Sequence, residues 1–151
     1  MANSRRSSRL KGLLGTDRAD RKPAASPIEQ PARRPSAPSE LSAGAAQEWR
    51  RLAPVAHAAG TLTKADVCAF GMLCETLSTE RQAREVIERE GMVTSTAAGG
   101  AKPHPAVRIM ENARSQAVAL LAQFGLTPRG RQSIDPAPLP RPTDPASRFF
   151  S

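Results

Sequence analysis

Apolar and polar positions alternate at helical spacing through the middle of the chain. From Pro105 onward, Ala106, Met110, Ala113, Ala117, Leu120 and Phe124 recur at intervals of four and three. That spacing puts them on one stripe of an α-helix, flanked by Val107, Val118 and Leu121. Pro105 suits the first helical position, where its missing N–H is not needed. Gly99-Gly100 supplies a turn before the stripe and Gly125 a C-terminal stop after it. Thr127 followed by Pro128 starts a short further helix.

Two more helical patterns precede this one. Ser42 is a suitable cap for a helix over residues 43–59, ended by Gly60, with Ala45, Trp49, Leu52 and Ala56 on its apolar face. Pro54 inside that pattern predicts a kink or break near residues 50–54. Thr63 caps the next helix, with Asp66 three residues on as a capping-box partner. Val67, Phe70, Leu73, Cys74 and Leu77 form its apolar face. Ser78-Thr79 interrupts the pattern, which resumes at Ala83, Val86 and Ile87 and stops at Gly91. One bent helix and two helices with a tight joint both satisfy this pattern. The alternating charges of residues 80–90 read as a solvated face with pairs such as Glu80 with Arg84. Residues 92–96 are strand-like and residues 97–101 form a turn, so a small β-hairpin or an irregular lid belongs there.

Composition limits how much of the chain this pattern covers. Residues 1–40 hold five prolines and few large apolar side chains, and residues 128–151 hold six of the fourteen prolines. Neither end buries enough apolar surface to offset the entropy of ordering it. The expected organisation is a disordered basic arm over residues 1–40, a helical domain over 41–134 and a disordered Pro-rich tail over 135–151. The fold class is all-α: a helical hairpin body with room for a small β-hairpin insert. So small a core is marginal alone, and oligomerisation is a natural source of further burial.

The formal net charge is +8, and residues 1–40 carry nine Lys/Arg against four Asp/Glu. The excess therefore sits mainly on the arm, and polyanions, nucleic acid first, are its expected partners. Arg5, Arg6, Arg9, Lys11, Arg18, Arg21, Lys22, Arg33 and Arg34 can contact phosphates without reading bases. Arg129 and Arg131 form a second, smaller basic site beside the Thr127-Pro128 helix start. An ordinary solvated tail, and pairing of Arg129 and Arg131 with acidic groups of a neighbour, are the plainer alternatives.

Catalytic chemistry finds little support. His57 and His104 are the only histidines and fall in different elements; His57 suits a partly exposed helix position and His104 a cap before Pro105. Cys68 and Cys74 lie about 600° apart around one helix, so they neither pair nor offer a zinc spacing. Glu85, Glu88 and Glu90 fit helix solvation better than acid-base work. The phosphate loop and the dinucleotide fingerprint are both missing from the sequence, and no metal or cofactor is expected. No stretch approaches the roughly 20 apolar residues that span a bilayer. A soluble cytoplasmic chain follows, without a membrane partner.

The order of short motifs carries a resemblance. Leu10-Lys11-Gly12 and Asp17-Arg18 in the arm lead to Trp49-x-x-Leu52 and then Gly60-Thr61-Leu62-Thr63-x-x-Asp66. The Gly91 turn and Gly99-Gly100-x-Lys102-x-His104-Pro105-Ala106 follow, and Gly125-Leu126-Thr127-Pro128-x-x-Arg131 closes the series. From about Leu10 to Gln132 this resembles the phage terminase small subunit, in the branch with the His-Pro turn and Gly-Leu-Thr-Pro ending. The helix after Asp66 departs from relatives that carry more aromatic residues there.

That resemblance implies a non-catalytic packaging factor that binds double-stranded viral DNA, assembles into a homo-oligomeric ring and delivers the genome to the terminase large subunit. It also implies action in the cytoplasm of the bacterial host. The shared motifs look structural, which assigns Trp49, Asp66, His104, Pro105, Ala113, Ala117, Leu120 and Phe124 to scaffold and assembly. The alternatives are a helical interaction protein whose arms bind a protein partner and, further off, a DNA-binding regulator.

Overall fold

The computed structural model describes residues 28–96, 99–134 and 137. Helix α1 spans Ala43–Ala58, and a 3-10 turn at Lys64–Asp66 leads into the long helix α2, Val67–Glu90. Strands β1 (Val93–Ser95) and β2 (Ala101–Pro103) follow, then α3 (Pro105–Gln123) and a short α4 (Pro128–Ser133). The fold is all-α apart from that one antiparallel hairpin, in which Thr94 pairs with Lys102.

The starts of the helices are set by the residues the sequence offers. The Ser42 side chain accepts from the Ala45 N–H at 3.2 Å. Thr63 and Asp66 form a full capping box: the Thr63 hydroxyl accepts from the Ala65 N–H, and the Asp66 carboxylate accepts from the Thr63 N–H at 2.8 Å. Each arrangement satisfies amides that the first helical turn leaves open, worth about 1 kcal/mol apiece. No break occurs at Pro54. Helix α1 continues to Ala58, and because Pro54 is exposed, the Arg50 carbonyl that loses its helical partner can bond water instead.

Helices α2 and α3 form an antiparallel hairpin whose register is marked at three levels. Phe70 meets Phe124 near the open end, with ring centroids 5.0 Å apart. Midway, Arg114 donates to Glu80 at 2.7 Å. At the closed end His104 lies 3.1 Å from Glu90. The three pairs are equidistant in sequence from the hairpin's midpoint, so no slippage separates one end from the other. Ala106, Ala113 and Ala117 of the apolar stripe are buried, as is Ala83 of α2. Small side chains on this face let the two backbones approach closely.

Helix α1 crosses the first half of α2. Trp49 packs edge-on against Phe70, with centroids 5.1 Å apart and planes at 88°, and Phe70 meets Phe124 at 89°. Such edge-to-face pairs add about 1 kcal/mol each beyond the area they bury. Leu62, Leu73, Cys74, Ala45, Ala53 and Ala56 complete the core. Burial pushes the Cys74 thiol up to about 12; Cys68 is exposed, and both cysteines are free.

The crossing explains the interruption at Ser78-Thr79. Helix α2 is one continuous helix there, and Ser78 is buried against Gly44 of α1. A side chain at 44 would collide with the Ser78 hydroxyl. Beside this contact the Glu48 carboxylate is almost fully buried, only 1 % exposed. Arg51 grips one of its oxygens at 2.9 and 2.6 Å, and Arg81 of α2 takes the other. Ser42 adds a further tie, its N–H and hydroxyl donating to the two oxygens of Glu75 at 2.6 and 2.8 Å.

Gly44→Val is expected to lower stability by about 2 kcal/mol, because overpacking a tight contact forces the helices apart. Urea denaturation followed by circular dichroism measures it; a variant as stable as the parent would contradict the close α1–α2 approach.

Candidate nucleic-acid interface

The open end of the hairpin gathers the four described arginine candidates, Arg33, Arg34, Arg129 and Arg131. Helix α1 ends in a Schellman motif: Gly60 adopts φ +71°, its N–H bonds the His57 carbonyl, and the Thr61 N–H bonds Ala56. Helix α3 ends the same way at Gly125, φ +65°, whose N–H bonds Ala122 while the Leu126 N–H bonds Leu121. Positive φ at each site is the conformation glycine adopts without strain. The Thr61 hydroxyl sits between the two ends, 2.8 Å from the Phe124 carbonyl and 3.1 Å from the Ala56 carbonyl. One side chain thus joins the termini of α1 and α3.

Both flanking segments reach this junction. The Ala137 N–H donates to the Gly60 carbonyl at 2.9 Å. Ile28 lines a cavity of about 310 Å³ together with Gly60, Thr61, Ile134 and Ala137. Of the expected arm, residues 28–40 are described, and Gln30 and Pro35 among them are buried. The Gln30 amide donates to the His57 carbonyl, and the His57 ring nitrogen lies 2.9 Å from the Pro31 carbonyl. These polar contacts use carbonyl groups that the sequence pattern leaves unassigned.

Arg33 and Arg34 follow Pro31 and are exposed. Arg129 and Arg131 are exposed on α4, whose start is fixed by the Thr127 hydroxyl accepting from the Gly130 N–H at 3.0 Å. Gly130 is held so close to α3 that a side chain there would strike the Ala122 carbonyl. Arg131 lines a small pocket with Ala59, Thr61, Gly125 and Ile134. The root of the arm and the α4 arginines therefore share one end of the molecule. Arg5, Arg6, Arg9, Lys11, Arg18, Arg21 and Lys22 lie outside the described residues.

The remaining candidates are scattered through the scaffold. Trp49, Phe124 and the half-buried Leu120 belong to the core around Phe70, and Asp66 serves the capping box. Ala113 and Ala117 are covered within the chain. His104 caps α3 at the opposite, closed end: its Nδ1 accepts from the Ala106 N–H at 3.1 Å, and Pro105 takes the first helical position. With Nδ1 accepting, the ring's proton is on Nε2, which faces Glu90. Hydrogen bonds from Arg89 and then from His104 hold the Glu90 carboxyl below its usual range.

Three features escape a reading of the sequence. Thr61 looks like one letter of a turn motif, and only the return of α3 to the same point gives its hydroxyl a second carbonyl. Glu48 looks like a solvated helix residue until Arg81 arrives from the next helix. Gln30 has no apolar pattern around it to signal burial. Among the described residues, no group of three or more His, Cys, Asp or Glu is placed to hold a metal ion. No described helix is long and apolar enough to cross a membrane.

A protein-family model described as phage terminase, small subunit, matches residues 45–138. That is well over half of the chain. The chain belongs to the phage terminase small subunit family. Its role is in phage DNA packaging, and the family is generally non-catalytic. No curated protein and no solved structure matches the chain. The family match runs from the buried Ala45 of α1 through the β-hairpin and α4, so it takes in the Thr61 junction and both Schellman ends. Residues 1–44, with the basic arm, lie outside it.

Thr61→Val keeps the shape of the side chain and removes the hydroxyl, leaving the Phe124 carbonyl without that donor. A loss of about 1 kcal/mol is expected, the usual net worth of one such hydrogen bond, measured by thermal or urea unfolding. An unchanged midpoint would show that the hydroxyl does not join the two helix ends.

Proposed function

We propose that this small terminase subunit binds double-stranded viral genomic DNA through its basic arm and Arg129/Arg131. It acts without catalysis of its own, assembles as a homo-oligomeric ring, and delivers DNA to the large ATPase and nuclease subunit in the host cytoplasm. The observation that carries this reading beyond family membership is the meeting of the arm's root with α4 at the Thr61 junction. Seven further Lys/Arg residues precede Ile28 in the sequence, and Ile28 lies at the end where Arg129 and Arg131 are exposed. Arg33, Arg34, Arg129 and Arg131 take part in none of the ion pairs found among the described residues, so their charge is available to a ligand.

The chemistry of such a surface is phosphate contact. Guanidinium groups on an extended segment and a short exposed helix neutralise backbone charge and release counterions, with no base readout required. The closed end of the hairpin offers a different character. There Glu90 pairs with Arg89 and His104, and exposed Glu85, Glu88 and Glu111 stand among Lys102 and Arg108. A polyanion gains less there, because those carboxylates repel its phosphates.

Duplex DNA affinity measured against salt tests this reading in the full chain and in a chain lacking residues 1–27. If about six arm residues meet phosphates, log K falls with log salt at a slope near −5. Removing the arm should flatten that slope strongly while leaving a shallow dependence from the remaining arginines. Equal, salt-insensitive binding by the two proteins would overturn the electrostatic reading.

A further inference from the structure

A separate groove, on the other side of α1's N-terminus, is unused by the scaffold. It has a volume of about 760 Å³ and is lined by Pro38, Leu41, Val67, Gly71 and Met72, with exposed Cys68 opening onto it. Its floor is low where it passes Gly71, a residue with no side chain between Leu41 and Pro38. Met72 is 61 % exposed although it is a large apolar residue. Glu40 also lines the groove, is exposed, and takes part in no ion pair among the described residues. The volume falls within the range of about 300–1,000 Å³ typical of sites that hold compact apolar ligands.

The chain carries a segment of matching chemistry. Its aromatic residues are one Trp and four Phe. Trp49, Phe70 and Phe124 are spent on the core, which leaves Phe149 and Phe150, adjacent to each other and preceded by Arg148. Two apolar rings beside one cation complement an apolar groove whose charged rim is Glu40, Glu75 and Lys64, one carboxylate in excess.

Reach is not limiting. The chain is anchored at Ala137, whose N–H is bonded to Gly60. Lys64 and Ala65, at the groove's near end, follow Gly60 by only a few residues. Twelve residues separate Ala137 from Phe149, a reach of about 37 Å at the 3.1 Å per residue of a polyproline chain. The groove's α2 wall, from Val67 to Thr76, is only about 14 Å long at 1.5 Å per residue. A tether that comfortably exceeds the span gives a high effective concentration at the site.

We propose that Phe149 and Phe150 dock in the Leu41–Met72 groove of their own chain, with Arg148 facing Glu40. The docked segment covers Met72 and Cys68. This holds whether or not the arm binds DNA.

Cys68 reports on the groove directly. Cys74 is buried with its thiol pushed up to about 12, so an aromatic disulfide reagent reads Cys68 alone in the folded protein. The full chain is compared with a Phe149→Ser, Phe150→Ser variant, whose substitutions lie outside the core. Labelling proceeds only from the undocked fraction, so a segment docked about nine-tenths of the time slows it about tenfold relative to the variant. Protection that persists on dilution supports docking within one chain. Equal labelling rates overturn the proposal. Protection lost on dilution assigns the groove to the tail of a second copy and overturns it as well.

Discussion

Two helices of this protein end at the same point, and the Thr61 hydroxyl lies between their last carbonyls. The rest of the architecture depends on that meeting. A helix leaves carbonyl groups unpaired at its C-terminus, and gathering two such ends concentrates that demand in a small volume. Glycines at 60 and 125 turn the chain so that amides of the next residues satisfy most of it. Thr61 attends to what remains. Because the junction also receives Gly60's bond from Ala137 and the packing of Ile28 and Ile134, both flanking segments leave the body from one end.

Away from the junction the hairpin is held by size as much as by attraction. Alanines at 83, 106, 113 and 117 bring α2 and α3 together, and Gly44 against Ser78 brings α1 onto α2. Close approach has a polar cost that the chain meets locally. Burying Glu48 would be strongly unfavourable alone, and Arg51 and Arg81 occupy both of its oxygens. None of the buried side-chain polar atoms of the described residues lacks a hydrogen-bond partner.

Much of this body was legible in the sequence, for identifiable reasons. Ser42, Thr63 and Thr127 announce helix starts, Gly60, Gly91 and Gly125 announce stops, and the 106–124 stripe fixes a buried face by period alone. The failures share a cause. Pro54 predicted a kink or a break, and the break is absent because the proline faces solvent. Ser78-Thr79 left one helix and two equally open, because the pattern carries no information about which helix crosses there. Glu48, Gln30 and the second bond of Thr61 all depend on partners distant in sequence. Of the candidate site, the motif order identified the family, and charge counting singled out Arg33, Arg34, Arg129 and Arg131. Neither could say that the arm's root and α4 come to one end, since that follows only once α1 and α3 terminate together.

The proposed function rests on this asymmetry of the two ends. Towards the closed end, exposed Glu85, Glu88 and Glu90 stand among the basic side chains and His104 caps α3, while the open end leaves guanidinium groups exposed beside the roots of both flanking segments. A packaging subunit built this way would meet DNA at the Thr61 junction and leave the β-hairpin free. Amide chemical shifts recorded during titration with duplex DNA test that claim most directly. The account predicts perturbations concentrated at residues 28–34, 59–63 and 125–134, with residues 92–104 unmoved. Perturbations centred on the β-hairpin, with the junction silent, would contradict it.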